Sequence, residues 1–415
     1  MRIVLWHGYL LSGSGSSVYT RAIAREWSAA GHDVVVLSQE PQPERFDLGE
    51  ARTGRPWLPA RLLPVFVLDD YPGLEATLLQ DLTREQRRRY VEANALSVQE
   101  LLPADLVFCN HVLPGGAVGA ASGARYAVKA HGSELEYSLR ESPELQLEAA
   151  EALVSAAAVF VGSDHIRTVL DDVVGHVDRV RKVPPGVDVE SFRPRKQAEA
   201  LVGLLEEARS DPANPGNRDE RLPDDSNAAR LEAFFVEERP TVLYVGKLLY
   251  NKGVHLLLEA LHGLEARAVV VGFGDYRQRL EEVAPPGTLF TGLLEHRHLV
   301  HLLPLCDVAV VPSIFPEAFG MVAAEAAAAG CPPLVARHSG LAEIAEGLEE
   351  AYPEEHRGLA AFAPGDSEDL ASTLRDLLAL PAQERERLGA AARLVAEQRW
   401  AWANVARRLL EPFIE

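Results

Sequence analysis

The stretch VPSIFPEAFGMVAAEAAAAGCPP, residues 311–333, reads as the end of an apolar strand, a short loop and an alanine-rich helix that ends at Gly330. Two carboxylates, Glu317 and Glu325, stand eight residues apart in it. If residues 319–329 are helical, that step covers roughly 12 Å at most, about the length of a diphosphate with a sugar at each end. Unpaired N–H groups at the helix start would attract an anion between the carboxylates. The same composition also fits a core helix with two solvated glutamates, so the rest of the chain must decide.

Length and charge favour two domains and disfavour several classes of partner. The chain has 415 residues, more than one ordinary hydrophobic core requires. Its formal net charge of -20 argues against a partner that is nucleic acid or an anionic membrane. Three cysteines without CxxC spacing suggest neither a disulfide framework nor a zinc site. Since no apolar run has membrane length and no leader precedes the first strand, we expect a cytoplasmic protein.

Short apolar runs alternate with helical periods in both halves of the chain. Predicted helices include residues 18–30, 84–102 and 252–264, and the predicted strands lie at residues 2–6, 34–38, 65–68, 106–110, 126–130, 159–162, 241–246, 268–272, 289–292, 308–311, 334–336 and 359–362. This alternation is typical of parallel sheets covered by helices. It predicts an α/β fold of two Rossmann-like, doubly wound domains that face each other across a cleft, with the ligand at the carboxyl ends of the strands.

The boundary between the domains is expected near residue 190. Residues 1–190 form the first predicted domain, residues 191–239 an acidic linker or insertion, and residues 240–395 the second domain. Within the insertion, residues 196–205 read as a helix. Residues 210–227, SDPANPGNRDERLPDDSN, are rich in proline, asparagine and aspartate and read as a mobile loop. We assign no role to the insertion of residues 196–238.

Loops after the predicted strands carry residues suited to phosphate binding. After the first strand, Gly15 and Ser16 would let the backbone approach a phosphate closely. The dinucleotide pattern GxGxxG fails there because Val18 stands where glycine or alanine is needed, which disfavours a nicotinamide cofactor. In the second half, VGKLLYNKG places Lys247 after a strand and Lys252 before a helix. Two such cations could neutralise a diphosphate without a metal, although a lone lysine is usually only a surface residue.

Other polar residues give weaker signals. His131 follows a strand end in KAHGSELE, but lone histidines are more often structural than chemical. No cluster of His, Cys and Asp residues has the spacing of metal ligands, so we expect no metal ion. We interpret the adjacent pair Asp69 and Asp70 as a solvated turn. Four arginines at residues 84–89 form either a solvated face or a docking patch for an anionic acceptor or a lipid headgroup, which leaves membrane contact open.

The motifs of the second half resemble those of the retaining glycosyltransferases of the GT-B fold, the fourth glycosyltransferase family. The resemblance covers residues 241–345 through VGKLLYNKG, VGFGDYRQRLEE, FTGLLEHRHLVHLLPLCDVAVVPS, PEAFGMVAAEAAAAGCPPLVA and HSGLAEI. The first half is similar more loosely, through SGSGSSVYTRAIAREWSAAGHDVVVLS, AHGSE, VGSDHIR and PPGVDVESFRP. The resemblance implies an acceptor-side first domain, a donor-binding second domain, and a helix within residues 396–415 that returns to the first.

The resemblance also implies a role for each matching residue. Glu317 would contact hydroxyls of the transferred sugar, Glu325 would hold the ribose, and the backbone at Leu293 and Leu294 would receive the base. The remaining implied donor contacts are the basic pair Lys247 and Lys252 on the phosphates, Gly15 and Ser16 closing over them, and the amides of Phe319, Gly320 and Met321. His131 matches the histidine near the sugar's C6 hydroxyl and, with Glu317 and Lys252, makes up the implied catalytic set.

The implied reaction is transfer of a sugar, with retention, from a nucleotide-diphosphate sugar to an unidentified acceptor, independent of metal and of any resident cofactor. UDP is the favoured nucleotide, and the acceptor is a small molecule, a glycan or a lipid-linked molecule. An epimerase or phosphorylase of the same fold, or a non-catalytic module that binds sugar nucleotides, are the alternatives. Lysine stands at residue 247 where the family often has arginine, and glycine at residue 132 where it often has aspartate, so the sugar stays open.

Overall fold

A computed structural model of the chain describes residues 1–68, 71 and 73–414. The Asp69–Asp70 pair lies outside the described residues. The chain divides into two compact units, the first of residues 1–185 with 402–414 and the second of residues 186–401. The division therefore falls five residues before the expected boundary, and the last segment that joins the first unit begins at Trp402 rather than at residue 396.

The first unit is built on a seven-stranded parallel sheet. The strands of this unit are β1 Arg2–Trp6, β2 Asp33–Leu37, β3 Arg52–Gly54, β4 Leu62–Val65, β5 Glu75–Leu78, β6 Leu106–Asn110, β7 Tyr126–Lys129, β8 Ala158–Val161 and β9 Val180–Lys182. The sheet has the order β3-β2-β1-β6-β7-β8-β9, and β4 and β5 pair in a separate two-stranded sheet. Strands β6, β7 and β8 are buried along their whole length because helices cover both faces of a parallel sheet.

Helices cover the first sheet, and the last of them comes from the far end of the chain. They are α1 Gly15–Ala29, α2 Arg84–Gln99, α3 Ala117–Ser122, α4 Pro143–Leu153, α5 Asp164–Val174 and, after all of the second unit, α15 Trp402–Leu410. The indole of Trp27 on α1 donates to the Ala406 carbonyl on α15 over 2.9 Å. A buried indole N–H needs such an acceptor, so α15 completes the packing of the first unit.

The second unit is also built on a parallel sheet, with the strands β10 Thr241–Val245, β11 Arg267–Val271, β12 Thr288–Phe290, β13 Val308–Val311, β14 Pro333–Ala336 and β15 Ala361–Phe362. These six strands have the order β12-β11-β10-β13-β14-β15. The helices are α6 Gln197–Arg209, α7 Asn227–Phe235, α8 Val254–Leu261, α9 Arg277–Val283, α10 His296–Leu302, α11 Met321–Ala328, α12 Ser339–Ala351, α13 Ser367–Ala379 and α14 Ala382–Val395. Two doubly wound α/β units are thus the architecture of the chain, as predicted.

Three expectations about local structure need correction. The strand predicted at residues 65–68 lies at Leu62–Val65, and Val67 and Leu68 are exposed. The segment at residues 191–239 is not a separate linker, because Leu204, Leu231 and Phe235 are buried in the core of the second unit. Residues 210–227 lack a long helix or strand, as expected, but Asn214, Asp224 and Asn227 are buried, so the segment is packed against the unit rather than loose.

Candidate functional site

Two loops of the second unit emerge where the order of its sheet reverses. Strand β10 is followed by β11 and β12 on one side, whereas β13 begins the other side, so the loops after β10 and β13 diverge from neighbouring strand ends. In open parallel sheets ligands bind at this point. The loop after β10 carries Lys247 and Lys252, and the loop after β13 carries Glu317.

Lys252 and Glu317 form an ion pair at this point, with Nζ and Oε1 2.5 Å apart. Each side chain is about a quarter exposed, at 27% and 24% respectively, so both charges face solvent on one side. The backbone of Glu317 is held on two sides: its N–H donates to Ser339 Oγ over 2.9 Å, and its carbonyl accepts from Gly340 N over 2.9 Å. The carboxylate therefore projects from a fixed backbone toward the lysine.

Backbone contacts join the two loops directly. The Asn251 carbonyl accepts hydrogen bonds from Ile314 N at 2.9 Å and Phe315 N at 3.0 Å. Gly253 follows with φ of +69° and lies so close to the Pro312 carbonyl that a Cβ there would stand 1.9 Å from its oxygen. Only glycine suits both the left-handed backbone and this close approach. The position of Lys252 is thus set by the loop that carries Glu317.

Lys247 is exposed at the rim of the same loop. Its backbone carbonyl accepts a hydrogen bond from the Tyr244 hydroxyl over 2.9 Å. Burial, and then the charge of Glu317, raise the pKa of Tyr244, so this phenol stays protonated as a donor. This hydrogen bond fixes the backbone of Lys247. Within the described part of the chain, the ammonium group of Lys247 makes no ion pair.

The alanine-rich helix begins two residues later than predicted. Gly320, with φ of +113°, precedes Met321, the first residue of α11. The N-terminal amides of the helix therefore start at Gly320 and Met321, and Phe319 is instead buried against the Trp400 ring, with centroids 5.8 Å apart. The expectation that the Phe319 amide belongs to the helix start is wrong, because the chain turns at Gly320. The anion-attracting end of the helix nevertheless lies beside the Glu317 loop.

Glu325 lies on α11 and is nearly buried, with 4% of its surface exposed. His296, the first residue of α10, approaches its carboxylate with Nε2 at 3.2 Å from Oε1. Leu293 and Leu294 lie in the loop between β12 and α10, with Leu294 buried and Leu293 partly exposed. The residue predicted to contact the ribose lies on α11, and the residues predicted to contact the base lie just before α10. His296 connects these two elements of the second unit.

In the first unit, the loop after β1 also differs from expectation. Gly15 and Ser16 were predicted in a loop before a helix at Val18, but they form the first turn of α1. The helix starts earlier because Ser14 caps it, with Oγ accepting from Ser17 N over 3.2 Å. Gly15 is exposed and a Cβ on it would meet nothing within 4 Å, so the helix start is open to solvent.

His131 belongs to a buried polar cluster at the carboxyl ends of β6 and β7. Its Nε2 lies 2.7 Å from Asn110 Oδ1, while the Asn110 amide nitrogen donates to the Trp6 carbonyl and to Thr20 Oγ1. Burial, followed by the charges of His111, Lys129 and His7, lowers the pKa of His131 well below its ordinary value. A neutral ring that donates from Nε2 keeps Nδ1 as a hydrogen-bond acceptor.

Glu134 holds this cluster together, which the sequence only hinted at. Its carboxylate accepts from His131 N at 3.0 Å, Gly132 N at 3.1 Å and Val112 N at 3.3 Å, and contacts His111 Nδ1 at 3.2 Å. Burial alone would raise the pKa of Glu134, yet His111 and the backbone N–H groups bring it below its ordinary value. A spacing of three residues from the histidine was its only signal in the sequence.

The buried histidines predict that acid destabilises the first unit. Burial, and then His111, lower the pKa of His7 from 6.5 to about 3, so between these values the unfolded chain binds more protons than the folded one. Stability is then complete above pH 6.5 and falls with pH. For His7 alone we expect the free energy of unfolding to drop by about 1–2 kcal/mol between pH 6.5 and pH 5.

Urea unfolding at several pH values, followed by circular dichroism, tests this expectation. His7→Asn should reduce the slope of stability against pH, whereas His176→Asn, at a histidine whose side chain is 82% exposed, should leave the slope unchanged. An unaltered slope in His7→Asn would contradict the assignment.

The arginines at residues 84–89 are the next group that the sequence suggested as a possible binding surface. Arg87 is buried and pairs with Glu148 and Glu144, and Arg88 and Arg89 pair with Glu85, so three of the four arginines at residues 84–89 already contact carboxylates. Within the described residues, no group of three or more His, Cys, Asp or Glu side chains is arranged to hold a metal ion. Over the same residues, no helix is both long and apolar enough to cross a membrane.

Both halves of the chain match models of known protein families. Residues 14–186 match the family model described as Glycosyl transferase 4-like domain, and residues 225–395 match Glycosyl transferases group 1. D-inositol 3-phosphate glycosyltransferase from Xylanimonas cellulosilytica is 29% identical over 289 residues, 66% of this chain and 60% of that protein. Glycogen synthase from Mycobacterium tuberculosis is 38% identical over 176 residues, 40% of each chain. The chain thus spans three fifths or less of the length of these two curated relatives.

A solved structure agrees in fold over the whole chain. HepE from Anabaena, in complex with UDP and glucose, superposes with a TM-score of 0.67 at 17% identity, covering 99% of this chain and 98% of that chain. Two consecutive family matches and two doubly wound units lead to one assignment. The chain belongs to the glycosyltransferases of the GT-B fold, within the fourth glycosyltransferase family.

Proposed function

We propose that this protein transfers a sugar from a nucleoside-diphosphate sugar to a hydroxyl acceptor, with retention of anomeric configuration and without a metal ion. The observation that carries the proposal is the Lys252–Glu317 pair, 2.5 Å apart and beside the start of α11, where no side chain caps the helix. It presents a cation, a carboxylate and the first backbone N–H groups of α11 together at the reversal point of a parallel sheet. HepE, whose structure holds UDP and glucose, supports UDP as the first nucleotide to test.

Each part of the donor has a proposed partner in the second unit. The diphosphate binds Lys252, Lys247 and the amides of Gly320 and Met321, where positive charge and the helix dipole favour an anion. Glu317 accepts hydrogen bonds from hydroxyls of the transferred sugar. Glu325 accepts from the ribose hydroxyls, and the backbone at Leu293 and Leu294 receives the base. Lysines and a helix start supply the positive charge that a metal ion supplies in other diphosphate sites.

In the proposed reaction, the bond between the anomeric carbon and the diphosphate oxygen breaks while the acceptor oxygen bonds to the same face of that carbon. The acceptor proton passes to a phosphate oxygen of the leaving diphosphate, so no protein nucleophile is required. Lys252 and the α11 amides stabilise the negative charge that develops on the diphosphate. His131 keeps the role that the resemblance gives it, and its neutral Nδ1 would accept a hydrogen bond from a sugar hydroxyl.

Replacing Glu325 tests the donor half of the proposal. Glu325→Gln keeps the shape of the side chain but loses one acceptor oxygen and the charge, and hydrogen bonds to charged groups contribute about 1.5–3 kcal/mol. We therefore expect the Kd for the preferred nucleotide to rise about 10- to 100-fold. Titration calorimetry with UDP, GDP and ADP measures this, with the exposed Glu355→Gln as the matched control. Unchanged affinity in Glu325→Gln, or no binding by the unsubstituted protein, would overturn the assignment.

Product analysis separates transfer from the alternative activities. With a labelled donor, a glycosyltransferase yields a new glycoside and a free nucleoside diphosphate, and proton NMR of the product reports whether the anomeric configuration is retained. An epimerised sugar nucleotide or a phosphorolysed sugar would replace transfer by one of the alternatives. Binding without any turnover would indicate a sugar-nucleotide binding module.

A further inference from the structure

The packed segment of residues 207–230, which we call the brace, contacts both ends of the segment that carries Leu293 and Leu294. We propose that the brace is a positioning element for the nucleotide base, and that it sets the affinity and selectivity of the site among nucleotides. This inference rests on the proposed function, which places the base at the backbone of Leu293 and Leu294.

At the first end, the brace lies antiparallel to the residues that follow the edge strand β12, through a bridge between Pro223 and Gly292. Asp224 N donates to the Thr291 carbonyl over 2.8 Å, and Asn227 Nδ2 donates to the same oxygen over 2.8 Å. Arg230 donates to the Phe290 carbonyl over 2.6 Å. Gly292 has φ of +68°, and a Cβ on it would stand 2.6 Å from Asp224 Oδ1. The backbone that leads into Leu293 is therefore pressed against the brace.

Asp224 is itself held from the opposite side. Its carboxylate, 2% exposed, accepts two parallel hydrogen bonds from Arg277, at 2.8 Å to Oδ1 and 2.6 Å to Oδ2. These hydrogen bonds raise the pKa of Arg277. Since Arg277 begins α9, after the loop that follows β11, one buried carboxylate connects the loops after β11 and β12. Bidentate pairs of this kind constrain orientation as well as distance.

At the second end, the brace grips the start of α10. Arg297 contacts Glu207 Oε2 at 2.8 Å, Ser210 Oγ at 2.8 Å and the Asp211 carboxylate. Buried His298 places Nε2 at 3.0 Å from Asp211 Oδ1. His296, which precedes Arg297 in α10, contacts Glu325, the proposed ribose ligand. The brace therefore also holds α10, the helix whose His296 contacts the Glu325 carboxylate.

Leu293 and Leu294 lie between these two anchored ends. Uracil, adenine and guanine present different patterns of hydrogen-bond donors and acceptors, and a backbone N–H and carbonyl discriminate among them only when distance and angle are well defined. The brace fixes the position of this backbone through contacts outside the proposed base site. Composition gave residues 210–227 no such role, because the contacts are made by side chains more than fifty residues away in sequence.

Two substitutions at the first end test the proposal. Asp224→Asn removes the charge of the buried anchor, and Arg277→Lys keeps a charge but cannot make two parallel N–H bonds. Titration calorimetry of the full chain with UDP, ADP and GDP should show an affinity for the preferred nucleotide that is at least 10-fold weaker. The ratio of the affinity for the preferred nucleotide to the affinities for the other two should also be smaller. The matched control, Asp219→Asn, changes an exposed carboxylate of the same brace and should bind as the unsubstituted protein does.

The outcomes are distinguishable. Wild-type affinity and an unchanged ratio among nucleotides in folded Asp224→Asn and Arg277→Lys would overturn the role of the brace while leaving the proposed function intact. If the unsubstituted protein binds none of the three nucleotides, the proposed function fails, and this inference fails with it. Should Asp224→Asn not fold, Arg277→Lys decides the question alone, since a general loss of stability lowers binding of every nucleotide alike and leaves the ratio unchanged.

Discussion

Lys252→Ala is expected to lower kcat/KM for sugar transfer by about 10³-fold, the scale observed when one group that stabilises developing charge is removed from an active site. The substitution removes the cation that lies 2.5 Å from Glu317 and that we propose to contact the leaving diphosphate. It also leaves the Glu317 carboxylate without its partner, next to the position of an anionic ligand. Initial rates of nucleoside-diphosphate release, with and without acceptor, measure the loss.

Two further variants refine this expectation. Lys252→Arg keeps the positive charge and should retain a measurable fraction of activity, whereas Lys196→Ala changes an exposed lysine of the same unit and should not reduce the rate. The loss in Lys252→Ala should appear mainly in kcat if the lysine acts on the leaving group. A Lys252→Ala protein with the rate of the unsubstituted enzyme would refute the assignment of this site.

Gly253→Ala is expected to destabilise the second unit by about 3 kcal/mol or more. A Cβ at this residue would stand 1.9 Å from the Pro312 carbonyl oxygen, and the backbone φ of +69° is unfavourable for alanine. The two loops of the site must then separate, so activity should also fall even where the protein remains folded. Denaturant unfolding and initial rates under the same conditions give both quantities.

Gly263→Ala is the matched control for the steric part of this effect. Gly263 has φ of +84°, but a Cβ there would meet nothing within 4 Å. It should therefore cost only about 1 kcal/mol, from the strained backbone. Equal losses in the two variants would show that the contact with Pro312 contributes nothing to stability.

The sequence predicted the sheets well and the contacts between distant loops poorly. Strands such as Leu106–Asn110 and Val308–Val311 are short runs of mainly apolar residues, so their bounds were predicted correctly. The start of α11 was not, since the helical propensity of the alanines gave no sign that the chain turns at Gly320. Likewise Ser14, as an N-cap, begins α1 earlier than the apolar spacing indicated.

Long-range polar pairing could not be predicted from composition. Lys252 and Glu317 are 65 residues apart, and only the strand order of the second sheet brings them together. The acidic residues of the brace look like a solvated loop until Arg277 and Arg297 are placed against Asp224 and Asp211. A charge run reads as solvent-exposed unless the sequence shows where the opposite charges lie.

The discontinuity of the first unit bears on the order in which the chain can fold during synthesis. Helix α15 is translated only after all 216 residues from 186 to 401 have been synthesised, yet it supplies the acceptor for the Trp27 indole and an edge contact between Trp402 and Tyr19, with centroids 5.6 Å apart. The first unit must wait, with that apolar surface uncovered, while the second unit is made. The unit synthesised first is therefore the one completed last.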